Sequence, residues 1–249
     1  MCWIHTKVVS QYNWEITNST CNPDGQASRS CLLINGQFPG PTVYADWGDY
    51  IQVTVKNSMQ ANGTGVHWHG IRQLLTNTED GVPGITECPL GPGDTKTYRF
   101  QATQFGTTWY HSHFSAQYGD GILGSLVING PAAANYDIDL GPFPVMDWYY
   151  VTAWQQNARA FQNVQRFSGP GNADTILVNG TNKNAAGDKG SYSKTTLTPG
   201  KKYRLRIINP SVDNMIRVSL DNHQFTVITS DFVPVKSWTA NWLLLGIGR

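Results

Sequence analysis

Charge is what this sequence has least of: Asp, Glu, Lys and Arg make up 14% of its 249 residues, against roughly 25% in an average soluble domain. The 18 basic and 17 acidic side chains leave a formal charge of +1. With no basic block, the electrostatic footprint of a nucleic-acid binder is missing. Long apolar runs are missing as well. None approaches the roughly 20 residues that a membrane-spanning helix needs, so neither nucleic acid nor membrane is expected as a partner. The start, Met1-Cys2-Trp3-Ile4-His5, lacks the basic, apolar and small-residue regions of a signal peptide and gives no targeting information. Cysteine is sparse, at positions 2, 21, 31 and 88, with no Cys-x-x-Cys pair. The ten-residue gap from Cys21 to Cys31 suits either a small disulfide loop in an oxidising compartment or two free buried thiols. Helical periodicity is also scarce, the best pieces lying around Tyr149 to Phe161.

What is present is apolar and aromatic: 40% hydrophobic residues, with 9 Trp and 11 Tyr, a composition that excludes disorder. Tyr50 to Lys56, Lys96 to Phe100, Ile122 to Ile128, Ile176 to Val178, Lys202 to Ile208 and Phe225 to Ile228 combine β-branched and aromatic residues with alternating polarity, and are predicted strands. Between them stand Pro39-Gly40-Pro41, Asn62-Gly63, Asp80-Gly81, Gly91-Pro92-Gly93-Asp94 and Thr198-Pro199-Gly200, all chain-reversal signals. Many short strands with such spacing predict an all-β chain of Greek-key sandwiches or barrels. Three Asn-x-Ser/Thr sequons begin at Asn18, Asn62 and Asn179 and fit an extracytoplasmic glycoprotein.

The chain also echoes itself. Leu32-Leu33-Ile34-Asn35-Gly36 returns as Ile176-Leu177-Val178-Asn179-Gly180, and Asp49 to Asn57 returns as Lys201 to Asn209, placing Asn57 and Asn209 152 positions apart. Two copies of one β unit are expected, over 1–131 and 132–249, the second stopping near two-thirds of its length. At the same offset Val66-His67-Trp68-His69 falls on Val218-Ser219-Leu220-Asp221, so only the first copy carries histidines there.

Four of the six histidines form two pairs, His67-Trp68-His69 and His111-Ser112-His113. Residues i and i+2 of a strand point to one face, so each pair aims two imidazoles at one place, and two neighbouring strands would bring four together. Converging imidazoles make a metal site, for copper, zinc, iron or nickel by ligand type alone. His5 and His223 carry no such pattern.

On longer motifs the chain resembles the N-terminal part of a multicopper oxidase, most closely the ascomycete-type fungal laccases. The motifs are HWHGIRQ at 67–73, DGVPGITECP at 80–89, WYHSHFSAQYGDGILGSLVINGP at 109–131 and YDIDLGPFPVMDWYY at 136–150. The resemblance implies tandem cupredoxin-like domains, copper as cofactor, and secretion. It also implies one-electron oxidation of small phenols and aromatic amines coupled to reduction of dioxygen to water. Carried over by motif, His67 would bind a type 2 copper, and His69, His111 and His113 the type 3 coppers. Asp80 would assist proton delivery to reduced oxygen. Asp213, in NPSVDN, would accept the phenolic proton, with Asp174 the weaker candidate for that role. Cys88 matches a cysteine that such laccases bond near their far C-terminus.

The same resemblance implies what this sequence lacks. The type 1 site and half of the trinuclear ligands belong to a third domain, and no His-Cys-His run is present. Residues 1–249 alone are therefore expected to be inactive, as a partial laccase. The alternatives are a catalytically inactive copper-binding two-domain protein, an oligomeric two-domain laccase, which would keep His-Cys-His, and a zinc hydrolase, for which no carboxylate base is marked.

Overall fold

A computed structural model describes residues 8–249, so Cys2 and His5 lie outside the described residues. Its strands are β1 (Val9–Cys21), β2 (Arg29–Ile34), β3 (Gly40–Asp46), β4 (Tyr50–Asn57), β5 (Val66–Trp68), β6 (Thr95–Gln101), β7 (Gly106–Ser112), β8 (Leu123–Asn129), β9 (Ile138–Trp148), β10 (Thr175–Val178), β11 (Tyr203–Ile208), β12 (Ile216–Ser219), β13 (Phe225–Ser230), β14 (Val233–Ala240) and β15 (Trp242–Leu245). A single α-helix among the described residues, α1 (Ala153–Gln165), starts at a capping box formed by Thr152 and Gln155, which satisfies two of its free amides. Apart from this helix and two short 3-10 turns, Asn77–Glu79 and Gln117–Asp120, the regular structure of the described residues is all-β, as expected, and each predicted strand is present within a residue or two. Long β1 and β9 lie outside the predicted set: the glycine and prolines of β9 break the alternation that marks a strand, whereas Tyr12, Trp14 and Ile16 of β1 do alternate with polar residues and could have marked it.

Two four-stranded sheets, ordered β2-β1-β4-β6 and β3-β8-β7-β5, face each other over residues 9–129. In β4, Ile51, Val53, Val55 and Asn57 point inward while the intervening residues face outward, the period-2 pattern of a half-buried strand. Between the sheets Trp14, Trp68 and Tyr110 pack ring on ring, with Trp14 4.3 Å from Tyr110 and 5.9 Å from Trp68. The Cys21–Cys31 disulfide is formed and Cys88 is a free, exposed thiol, which decides between the two readings of the first pair. By chain entropy a loop of this length contributes roughly 3 kcal/mol.

Beyond residue 130, β9 pairs antiparallel with β10 and parallel with β11, and the antiparallel pair β12–β15 brackets the β13–β14 hairpin in the chain. The parallel pairing of β9 with β11 repeats that of β1 with β4. Asn35-Gly36 and Asn179-Gly180 both turn through the left-handed region, at φ 52° and 69° and at 51° and 76°. The buried residues of this second part do not form a core of their own. Met146, Trp148, Leu177 and Ile208 join Cys31, Leu33, Trp109 and Leu123 of the first part in one cluster. At its edge Arg29 lies 3.9 Å over the Trp148 ring and pairs with Asp120 at 2.6 Å.

Candidate metal centre

Strands β5 and β7 run antiparallel with His67 directly opposite His111. His69 and His113 stand just past the two strand ends, but each keeps one cross-strand bond, His69 N–H to Trp109 O at 3.1 Å and His113 N–H to Gly65 O at 3.2 Å. The alternation of the strands therefore carries on through them. Trp68 and Ser112, between the pairs, turn the other way and are fully buried. The four rings meet on one face: centroids lie 5.3 Å apart for His67 and His111, 5.4 Å for His67 and His113, 5.5 Å for His69 and His111, and 5.8 Å for His67 and His69. Nitrogens of His67, His69 and His111 all fall within 4.8 Å of one another, while His113, exposed, closes the open side.

Each ring is oriented by its surroundings. His67 Nδ1 donates to the Asp80 carbonyl at 2.8 Å, with Asp80 Oδ1 at 3.3 Å. That approach depends on Gly81, at φ +73°, where a Cβ would sit 1.7 Å from Val66 O. His111 Nδ1 donates to Ser112 O at 3.0 Å, and its imidazole stacks on Trp109 with centroids 4.1 Å apart. Both rings thus present Nε2 as a lone pair, the usual arrangement of a metal-ligating histidine held by a carbonyl. His69 turns the opposite nitrogen inward: its Nδ1 faces His111 Nε2 at 3.3 Å, and its Nε2 abuts Gly248, where a Cβ would come within 2.9 Å.

Burial disfavours the protonated form of His67, His69 and His111. It depresses His69 to about 4, helped by the charge of His67, and His111 to about 3. It also lowers His67, although the Asp80 carbonyl and carboxylate pull the other way. Unprotonated lone pairs converging within a few ångströms fit a cation that favours imidazole nitrogen.

The acidic candidates separate. Asp80 belongs to the histidine cluster through His67. Asp213 does not touch it: it is exposed on the loop between β11 and β12, and its charge is felt by the hydroxyls of Tyr118 and Tyr149. Tyr118 is the link, its ring 5.4 Å from that of His111. Asp174 caps the backbone instead, accepting from Tyr150 N–H at 2.7 Å. Three supporting features had no signal in the sequence: the Trp109 stack, the approach of Gly248 to His69, and a buried relay in which Gln117 Oε1 accepts from Ser112 and Thr64 hydroxyls at 2.8 and 2.9 Å.

Comparison with known proteins meets this geometry. Multicopper oxidase family models match residues 15–133 and 139–249. The chain belongs to the multicopper oxidase family. It is 63% identical over 212 residues to Laccase-3 of Botryotinia fuckeliana, covering 85% of this chain and 46% of that protein. To the laccase of Cryphonectria parasitica it is 52% identical, over 98% of this chain and 41% of that one. Its fold superposes on the crystal structure of a Botrytis aclada laccase with a TM-score of 0.91 and 45% identity, covering 98% of this chain and 46% of the other. This multicopper oxidase chain thus has the cupredoxin-like all-β fold of its family and spans less than half the length of these relatives. The family uses copper, and the histidine cluster fits it.

Proposed function

We propose that this chain supplies the first two cupredoxin-like domains, 1–131 and 132–249, of a laccase-type oxidase that couples one-electron oxidation of phenols and aromatic amines to reduction of dioxygen to water. One observation carries the reading: neutral imidazoles of His67, His69 and His111, with His113 beside them, converge from β5 and β7 on one point. His67 would hold the type 2 copper and His69, His111 and His113 the type 3 pair, where copper supplies one-electron redox and dioxygen chemistry. Asp80 keeps the His67 Nδ1 proton in place and sets a carboxylate beside the cluster, positioned to deliver protons to reduced oxygen. Asp213, exposed near the Tyr118 and Tyr149 hydroxyls, accepts the proton a phenol releases.

Secretion is supported by the Cys21–Cys31 disulfide and by the sequon residues Asn18 and Asn62, both exposed; the Asn179 side chain instead donates to Ser193 at 3.0 Å. Because the chain covers only 46% and 41% of these relatives, the remaining ligands and the electron-entry site are assigned to polypeptide outside residues 1–249. The test is oxygen uptake with a phenol after copper loading. The complete oxidase consumes oxygen, and residues 1–249 alone bind copper without turnover. Turnover by 1–249 would overturn the division of labour, and turnover by neither would leave a copper-binding protein without catalysis.

A further inference from the structure

The loop that carries Asp213 is held by a device its counterpart in the first repeat lacks. In both repeats an asparagine closes the corner after the parallel strand pair, Asn57 in one and Asn209 in the other. Beyond Asn57 the amide of Gln60 donates to a neutral side chain, Asn18 Oδ1, at 2.9 Å, and the one carboxylate bonded to the loop, Glu15, is exposed and accepts from the Ser58 hydroxyl. At the matching place, 152 positions on, Val212 N–H donates to a carboxylate, Asp147 Oδ1, at 2.8 Å. That carboxylate also takes the next two amides, Asp213 N–H at 3.0 Å and Asn214 N–H at 3.1 Å, and the Asn214 side-chain amide at 2.9 Å. The Asp147 amide in turn donates to Ser211 Oγ at 3.0 Å. Asp147 is 1% exposed. Burying a charge is costly unless donors surround it, and the first repeat shows that this corner closes without one.

The opposite wall is equally specific. Gly119 has no side chain where a Cβ would stand 2.6 Å from Val212 Cγ2 and 2.8 Å from Ala153 Cβ. The loop is thus clamped from both sides, and the one residue of it gripped by its backbone with its side chain left to solvent is Asp213.

We propose that Asp147 is a positioning residue for Asp213, fixing that loop so that the Asp213 carboxylate meets the hydroxyl of a docked phenol. The inference rests on the proton-accepting role of Asp213 proposed above. It concerns phenols and not electron donors as such, because a phenol loses its hydroxyl proton on oxidation whereas a donor such as ferrocyanide has no proton to lose. The hydrogen bonds act on the placement of a neighbour, and small misplacements of a proton acceptor carry large rate penalties.

The experiment compares Asp213→Asn, Asp147→Asn and Gly119→Ala in the complete oxidase. It reads the ratio of kcat/KM for a phenol to kcat/KM for ferrocyanide, which gives up an electron and no proton, together with the dissociation constant of 4-nitrophenol, a phenol that resists oxidation. Asp147→Asn and Gly119→Ala are both expected to lower the ratio about tenfold and to weaken nitrophenol binding, the second without removing any charge. If Asp147→Asn does not fold, Gly119→Ala decides alone. Should Asp213→Asn lower the ratio while neither of the other two does, or should both substrates fall together, the positioning role is overturned. A ratio unchanged in Asp213→Asn itself would instead remove the role of Asp213, and the proposal with it.

Discussion

Asn57 and Asn209 make the same bonds from the same buried corner. Asn57 Nδ2 donates to the carbonyls of Asn62 and Leu90 at 3.2 and 2.9 Å, and its Oδ1 accepts from Met59 N–H at 3.0 Å. Asn209 Nδ2 donates to the carbonyls of Asn214 and Leu245 at 3.0 and 3.1 Å, and its Oδ1 accepts from Ser211 N–H at 3.1 Å. Beyond this shared corner the repeats part. The first sends β5 into a buried sheet beside β7, with histidines opposite one another. The second sends β12 to pair with β15, where Ser219 faces Trp242 and both are exposed. The first repeat encloses its own core, whereas the buried residues of the second complete a cluster begun by the first. Duplication copied the corner and the strand pairing. The metal chemistry depends on something narrower, two adjacent strands that both carry His-x-His and whose opposite faces are sealed.

The strongest way to break that contrast is to remove or transplant the histidines. In the complete oxidase, His67→Ala or His113→Ala should lower oxygen reduction by at least about a hundredfold, since loss of even an outer partner of a ligand costs about 10- to 100-fold. Electron uptake from a phenol should survive, which anaerobic absorption spectroscopy would show; retained oxygen uptake would contradict the ligand assignment. The reverse exchange, Ser219→His with Asp221→His, should add no copper by metal analysis. Its neighbour β15 offers Leu243 and Leu244, not a second histidine pair.

A smaller effect tests whether the two corners matter equally to the fold. Asn57→Ala leaves the buried Met59 amide without its partner and takes from the Leu90 carbonyl one of its two donors, the other being Thr64 N–H, for about 2–3 kcal/mol of destabilisation. Asn209→Ala should cost less, about 1–2 kcal/mol, because the Asp147 carboxylate holds the same loop independently. Urea unfolding would read both. Equal losses would mean that the Asp147 clamp adds nothing to the stability of the loop.

How much of this was legible beforehand depended on the range of the interaction. The repeat, the chain-reversal signals and the His-x-His pairs are local patterns, so the six predicted strands and the convergence of His67 with His111 follow from spacing. The orientation of the rings does not. It is set by Asp80 O, Ser112 O and Gly248, and only Ser112 adjoins its histidine. Gly81 was visible merely as half of an Asp-Gly turn, and nothing local shows that a Cβ there would strike Val66. Asp147 sits in a strand whose prolines hid it, and its partners lie more than 60 positions away. The exposed Asp213, by contrast, was reached by motif, while the burial that separates it from Asp147 required the structure.

The subtlest difference between the repeats concerns acid. At the position of Arg206 in β11 the first repeat has Thr54, whose hydroxyl meets that of Thr97 at 2.9 Å. Arg206 instead bonds Asp139 of β9 through Nε and Nη2, the latter at 2.6 Å, and reaches Thr107 of the first repeat at 2.8 Å. Burial pushes the Asp139 carboxyl up, but the Arg206 hydrogen bonds, the Gly141 amide and the charges of Arg206 and Arg204 outweigh it, and the group is held below its ordinary value. A carboxyl whose folded value is depressed stabilises the fold fully above its unfolded value of about 3.9, and that contribution is lost as pH falls through the lower folded value. Asp139→Asn should therefore lower stability at pH 6 by about 1 kcal/mol, a figure reduced for the part of the carboxylate open to water. The deficit should shrink as the pH falls below about 4 and on through the lower folded value, where the wild-type carboxyl becomes neutral as well. Thr54→Val, which touches only hydroxyls, should shift stability by the same amount at both ends of that range. Thermal unfolding from pH 6 to pH 3 separates the two, and a deficit for Asp139→Asn that persists unchanged at pH 3 would show that the pair acts through shape and not charge.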